Sequence, residues 1–233
     1  YIRSTVQQLE AKMTDGWPCW AISNHDVRRA VTRWGGPSPD PALAPQLVAL
    51  VCSLRGSVCL YQGEELGLPE ADVPYEALQD PYGITFWPNF KGRDGCRTPM
   101  PWHDAMHGGF TEGAPWLPVP AEHRARNVAA QEAASDSVLA HVRRFLSWRK
   151  AHPALVLGDI RFLETAEPVL AFTREHDGRT LLVVFNLSAQ PRTWSLPQGF
   201  APVPLEDHGL LTAHVDGGVL HLPAHAVFYA TLS

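Results

Sequence analysis

The chain has 233 residues, enough for one large or two small domains. With 45% hydrophobic and 18% charged residues it reads as globular and not disordered. A formal charge of −5 with no dense Lys/Arg run argues against a nucleic-acid surface, and no run of about eighteen apolar residues exists to span a membrane.

Residues 1–13 read as the end of a helix. The apolar run Trp17-Pro18-Cys19-Trp20-Ala21-Ile22-Ser23 follows. It lacks alternation, so it reads as a strand buried on both faces, as in a parallel sheet under helices. Asn24-His25-Asp26 stands at its C-terminal end, the place where α/β barrels carry their chemistry. A plain turn is the competing reading of the same triplet. After a Gly/Pro-rich connection at 34–41, residues 42–54 read as a helix, with Leu43, Leu47, Leu50, Val51 and Leu54 on its buried face and Arg55-Gly56 as its stop. Residues 57–61 form a second short apolar strand, giving a strand–helix–strand repeat with a right-handed crossover expected.

Residues 63–119 read as one long loop rich in Pro, Gly and Trp. A loop of that length belongs in a compact domain only when it is functional. A helix follows over 135–151, capped by Ser135 and stopped by Pro153. Beyond about residue 155 come short alternating strands at 159–162, 169–174, 180–186, 192–196, 219–222 and 226–231, with Asp177-Gly178 as a hairpin turn. The domain boundary is therefore expected at 154/155: a βα part over 1–154 and an antiparallel β-sandwich over 155–233. Cys19, Cys52, Cys59 and Cys96 form no CxxC pair and read as buried free thiols, which fits a reducing cytosol and a cytoplasmic location. His123, His176 and His208 read as ordinary surface or loop residues, and the sequon at Asn186-Leu187-Ser188 as a chance match. No ligand cluster for a metal is visible, and no cofactor is expected.

Several words of this sequence carry a family likeness. They are Ser23-Asn24-His25-Asp26, the segment Tyr61-Gln62-Gly63-Glu64-Glu65-Leu66-Gly67-Leu68, and Lys91-Gly92-Arg93-Asp94-Gly95-Cys96-Arg97-Thr98-Pro99-Met100-Pro101-Trp102. Asn127-Val128-Ala129-Ala130-Gln131 and Arg149-Lys150-Ala151-His152-Pro153-Ala154-Leu155 extend them. Together, in this order, they resemble the α-amylase clan of glycoside hydrolases (family thirteen), in its α-glucosidase and oligo-1,6-glucosidase branch. The resemblance covers essentially the whole chain. It implies an α/β fold: the C-terminal part of a (β/α)8 TIM barrel followed by a small antiparallel all-β C domain. It also places Asn24-His25-Asp26 in the family's fourth sequence region, at the end of the seventh strand, and the 63–119 loop on the substrate rim after the eighth.

Retaining glycoside hydrolysis uses a nucleophilic carboxylate and a carboxylic acid about 5–5.5 Å apart. No segment here matches the regions that carry those two groups, so the resemblance implies a preceding N-terminal barrel half as partner, and no activity for this segment alone. It assigns to Asp26 the third carboxylate, which stabilises the transition state. His25 and Asn24 would bind glucosyl hydroxyls. Arg93 would grip a carboxylate or two hydroxyls with its planar fork. Arg97, four residues on, competes for that role, and for both arginines a salt bridge pinning the loop is the alternative. Glu64 and Glu65 are adjacent, and their expected work is structural, accepting loop amides. Trp87, Phe90, Trp102, Phe110 and Trp116 would either stack on sugar rings or staple the loop down, stapling being the reading preferred for most of them. The implied activity is release of terminal α-linked glucose from short α-glucoside oligosaccharides. Two alternatives stay open: sucrose isomerase, trehalose synthase or transglucosylase chemistry on the same frame, and a non-catalytic carbohydrate-binding scaffold. Neither nucleic acid nor membrane is expected as a partner. The family's calcium, where present, would be bound largely by the N-terminal part.

Overall fold

The computed structural model describes residues 1–13 and 15–232. In chain order the helices are α1 (Ile2–Lys12), α2 (Ala30–Gly35), α3 (Leu43–Ser53), α4 (Pro81–Thr85), α5 (Ala121–Ala125), α6 (Val128–Ala133), α7 (Val138–Lys150) and α8 (Pro153–Leu157). The strands are β1 (Cys19–Trp20), β2 (Ser57–Val58), β3 (Asp159–Phe162), β4 (Val169–His176), β5 (Arg179–Asn186), β6 (Arg192–Ser195), β7 (Pro202–Pro204), β8 (His214–Asp216), β9 (Val219–Leu222) and β10 (Val227–Leu232). Two compact units emerge: one from residues 1–20, 49–59 and 144 onward, the other from residues 21–48 and 60–143. No described helix is long and apolar enough to cross a membrane.

In the first unit β1 and β2 lie parallel, Cys19 opposite Ser57 and Trp20 opposite Val58. Both are shorter than the apolar runs suggest, and Cys19 is exposed where a strand buried on both faces was expected. The reason is local. Each strand bonds only to the other among the described residues, so one ladder alone defines them. The same circumstance corrects the reading of the cysteines: Cys52 and Cys96 are buried, but Cys19 and Cys59 are exposed.

The antiparallel part of this unit is a five-stranded sheet in the order β3-β4-β5-β10-β7 and a three-stranded sheet in the order β6-β9-β8. The β4–β5 hairpin turns at Asp177 (φ 48°) and Gly178 (φ 72°), the two left-handed residues that a tight primed turn requires. Because strand side chains alternate, one face of the larger sheet presents Val169, Ala171, Leu182, Val184, Phe228 and Ala230, which pack with Leu220 and Leu222 of the smaller sheet. Burial of each such large side chain contributes roughly 1.5–3 kcal/mol.

The opposite face, by the same parity, carries Phe172, Arg174, Phe185 and Tyr229. Here Tyr229 packs against Phe145 and Trp148, and its hydroxyl bonds the Ser53 hydroxyl at 2.7 Å. His208, read as a surface or loop residue, lies in a loop but is 2% exposed, because its ring lies edge-on to Trp148 and Tyr229. Burial pushes it down to about 4. Arg174 is fully buried and, among the described residues, pairs with no carboxylate: its guanidinium donates to the carbonyls of Ser53 (2.6 Å), Leu155 (3.1 Å), Gly158 (2.8 Å) and Asp159 (3.3 Å).

Other expectations needed smaller adjustments. The cap of α7 is Ser137, whose hydroxyl accepts the Ala140 amide at 3.1 Å, and not Ser135. Pro153 both ends that helical stretch and opens α8 at its first turn, where its missing N–H costs nothing. The 63–119 segment is not one bare loop: it holds α4 and several single 3₁₀ turns. Asn186 is fully buried, its amide donating to the carbonyls of Gln190, Leu222 and Pro223, which agrees with reading its sequon as a chance match.

Candidate functional site

In the second unit α2 and the start of α3 pack through Ala30, Val31, Leu43, Ala44 and Leu47, with Ile22 against them. This apolar patch anchors the segment from which Asn24, His25 and Asp26 emerge. Just before them, the hydroxyl of buried Ser23 donates to Glu64 Oε1, and Glu64 Oε2 accepts the Tyr61 amide at 3.1 Å. Burial raises the Glu64 carboxyl despite these donors. Glu65 in turn accepts the Gly63 amide at 2.8 Å. Both glutamates thus bind loop backbone or its neighbours, as their adjacency suggested. Gly63 has φ 91°, a left-handed backbone that favours glycine, and a side chain there would displace the Arg29 guanidinium. Arg29 is buried and donates to the Gln62 carbonyl at 2.8 Å, while its amide bonds Glu70 at 2.8 Å.

On this base stands a charged cluster. Asn24 Oδ1 accepts the Asp26 amide at 2.8 Å, a side-chain turn that sets the backbone at Asp26. The Asp26 carboxylate is about half exposed (49%), open to solvent on one side. Its Oδ1 accepts from Arg93 Nη1 and from Arg97 Nη2, each at 3.0 Å. Its Oδ2 lies 3.4 Å from His25 Nε2, and the His25 side chain is 69% exposed. Arg97 also donates from Nε to the His25 carbonyl at 2.7 Å. The sequence offered Arg93 or Arg97; the structure brings both to the same oxygen. Crowding by its neighbours works to raise the Asp26 carboxyl. The Arg93 hydrogen bond, then His25 and Arg97, outweigh it, so the group sits below the ordinary carboxylate range.

Behind Arg93 is a residue that motif reading missed. Asp80, 1% exposed, accepts from Arg93 Nε (2.9 Å), Arg93 Nη2 (3.0 Å) and the Arg93 amide (2.8 Å). Asp80 also caps α4 through the Tyr82 amide at 3.3 Å. Asp94, fully buried, accepts the amides of Gln79 (2.6 Å) and Asp80 (2.8 Å). The Asp-Pro at positions 80–81 was the available signal, as a cap with proline at the first helical position. It says helix start; it does not say ion pair.

The aromatic residues of the segment divide. Phe90, Trp102, Phe110 and Trp116 are exposed, and Trp87 is held by Tyr75 (5.5 Å between rings) and by Lys91. His123, read as a surface or loop residue, lies in α5 and is fully buried: Nε2 donates to the Pro69 carbonyl at 2.8 Å and Nδ1 meets the Thr98 hydroxyl at 3.1 Å. Burial pushes it down to about 4. Buried Cys96 is pushed up to about 11, chiefly by burial, which favours the neutral thiol. Among the described residues no three His, Cys, Asp or Glu side chains gather as a metal site.

A half-exposed carboxylate, kept ionised by two guanidinium groups and flanked by an imidazole, can hold sugar hydroxyls and stabilise positive charge developing nearby. Comparison with known proteins gives the chain a family. Residues 1–158 match the α-amylase catalytic domain, and residues 160–228 match the maltogenic amylase C-terminal domain. The chain is 51% identical over its full length to a probable α-glucosidase of Rhizobium meliloti (strain 1021), covering 42% of that protein. It is 31% identical to an oligo-1,6-glucosidase of Halalkalibacterium halodurans, over 92% of this chain and 41% of that one. Among solved structures, the α-glucosyl transfer enzyme XgtA superposes with a TM-score of 0.96 at 61% identity, covering all of this chain and 43% of that one. The trehalulose synthase MutB from Pseudomonas mesoacidophila MX-45 gives 0.83 at 28%, over 99% and 46%. The chain therefore spans about two fifths of the length of the curated relatives it matches. Its βα elements are the C-terminal part of a (β/α)8 barrel and its antiparallel sheets the small domain that follows, and the chain belongs to the α-amylase family of glycoside hydrolases, with the α-glucosidases and oligo-1,6-glucosidases among its relatives.

Proposed function

We propose that this chain is part of a retaining α-glucosidase acting on terminal α-linked glucose of short oligosaccharides, with Asp26 as the carboxylate that stabilises the oxocarbenium-like transition state. The observation that carries this reading is the convergence of Arg93 and Arg97 on one oxygen of a carboxylate that stays half exposed. The arginines keep the group ionised, and the exposed side is free for vicinal hydroxyls. His25 and Asn24 complete the sugar-binding set, Asn24 also through the turn it imposes. The nucleophile and the acid/base belong to an N-terminal barrel half beyond this chain, which is its partner and completes the glucose pocket. Within the chain, residues 1–154 serve the barrel and 155–233 the C domain, and the free thiols suit a reducing, cytoplasmic setting.

The complete protein should release glucose from p-nitrophenyl α-glucoside, and the purified 233-residue chain alone should not. Turnover by the isolated chain would remove the need for a second carboxylate donor. A second reading, α-glucosyl transfer in place of hydrolysis, draws support from the 61% identity to XgtA, a protein described as an α-glucosyl transfer enzyme. Both readings share the nucleophile and Asp26 and differ in whether water or a hydroxylated acceptor takes the glucosyl group. Product analysis with maltose, isomaltose and sucrose, with and without added acceptor, separates them.

A further inference from the structure

We propose that Asp80 is a positioning residue of this site: it fixes the Arg93 guanidinium so that one nitrogen, Nη1, is presented to Asp26. The inference rests on the reading of Asp26 given above.

The geometry is a division of labour within one side chain. Guanidinium groups pair best with a carboxylate through two parallel N–H···O bonds. Arg93 spends that edge on Asp80: Nε donates to Oδ2 at 2.9 Å and Nη2 donates to Oδ1 at 3.0 Å. Nη1, which lies outside that edge, is the nitrogen that donates to Asp26 Oδ1. The two acids differ in exposure, Asp80 being 1% exposed and the Asp26 side chain 49%. The stronger, bidentate pair is therefore on the inner side, and the single bond faces the side open to substrate.

Asp80 is itself held. Its backbone amide and that of Gln79 donate to Asp94 Oδ2, and its own carboxylate accepts the Arg93 and Tyr82 amides. The Tyr82 ring lies 5.5 Å from the Arg93 guanidinium carbon, limiting its swing. Four backbone amides and one ring thus define where the fork lies. A flexible arginine would pay rotamer entropy each time it met Asp26; this one is placed beforehand.

The test uses the complete protein that carries this chain. In Asp80→Asn, an amide replaces one acceptor oxygen, the cap is kept, and the bidentate grip is lost. We expect kcat/KM on p-nitrophenyl α-glucoside to fall about tenfold or more, mostly in kcat. In Arg93→Ala the fall should be at least as large, and the double variant should be within about threefold of Arg93→Ala alone, because Asp80 works through Arg93. Selective ¹⁵Nε labelling of arginine gives a readout independent of turnover. One protected Nε–H signal, absent in Arg93→Ala, should be present in the wild type and lost in Asp80→Asn. If Asp80→Asn does not fold, Arg93→Lys, which keeps the charge and lacks the fork, serves as the kinetic variant and should show the same loss. Losses that add in the double variant, unchanged kinetics in Asp80→Asn or Arg93→Lys, or a protected signal missing from the wild type would each overturn the proposal. A protected signal that behaves as expected in a protein with no glucosidase or transfer activity would uphold the placement and refute the reading of Asp26.

Discussion

Arg93 and Arg174 are the same residue type in two regions, and they do opposite things. Arg174, on a buried sheet face, donates to four backbone carbonyls and, among the described residues, forms no ion pair. Burial lowers it to about 10, still charged at neutral pH. Arg93 meets two carboxylates and keeps part of its surface in solvent. Its partnership holds the Asp80 carboxyl well below the usual range. A guanidinium bound to carbonyls of fixed backbone can only tie segments together. One that ends on an exposed carboxylate can be borrowed by a ligand. The partner, not the residue, decides whether the charge is structural or available.

The largest effect expected from breaking this contrast is on activity. In the complete protein Asp26→Asn should lower kcat roughly 10²–10³-fold while the melting temperature stays near that of the wild type. An unchanged kcat would remove Asp26 from the reaction. Arg174→Met should do the reverse. Four carbonyls lose their donor, at a cost of about 3 kcal/mol or more, read as a lower urea midpoint, with kcat of the folded fraction retained. Arg174→Lys should rescue little, since an ammonium cannot reach four acceptors spread over a fork.

The histidines sharpen the comparison between the units. His123 and His208 are each depressed from 6.5 to about 4 by burial. The unfolded chain binds protons that the folded chain refuses, so stability is full above pH 6.5 and is lost as pH falls toward 4, by up to about 3 kcal/mol per histidine. Melting temperatures measured from pH 7 to pH 4.5 should fall along this window, and the ring C–H resonances of both histidines should stay in the neutral position at pH 5.5. A pH-independent melting curve would contradict their burial. The smallest effect is expected for Arg97→Lys. It keeps a charge near Asp26 and loses the bond to the His25 carbonyl, so kcat/KM should drop only about three- to tenfold.

Much of the antiparallel domain could be read directly. Residues 159–162 and 219–222 emerge as strands with the expected bounds, and Asp177-Gly178 forms the expected turn. Alternation over several residues is a strong signal because each strand has one face toward the core. β7 escaped because it is an edge strand bounded by Pro202 and Pro204, paired on one side only. β8 is three residues long, too short for alternation to register. The reading of His123 and His208 as surface or loop residues missed their burial for a different reason: nothing local distinguishes a histidine that finds Thr98 and Pro69, or Trp148 and Tyr229, from one in solvent.

Family membership and the order of the βα and antiparallel parts were settled by local words and periods, since these depend on residues near one another in the chain, and the same local words single out Asn24-His25-Asp26 as the proposed site. Tertiary structure alone decided that Arg93 and Arg97 share one oxygen of Asp26, from 67 and 71 positions away, that Asp80 stands behind Arg93, and that Arg174 needs no acid. Ion pairing depends on distance in space, and no sequence period encodes which charges a fold will bring within 3 Å of each other.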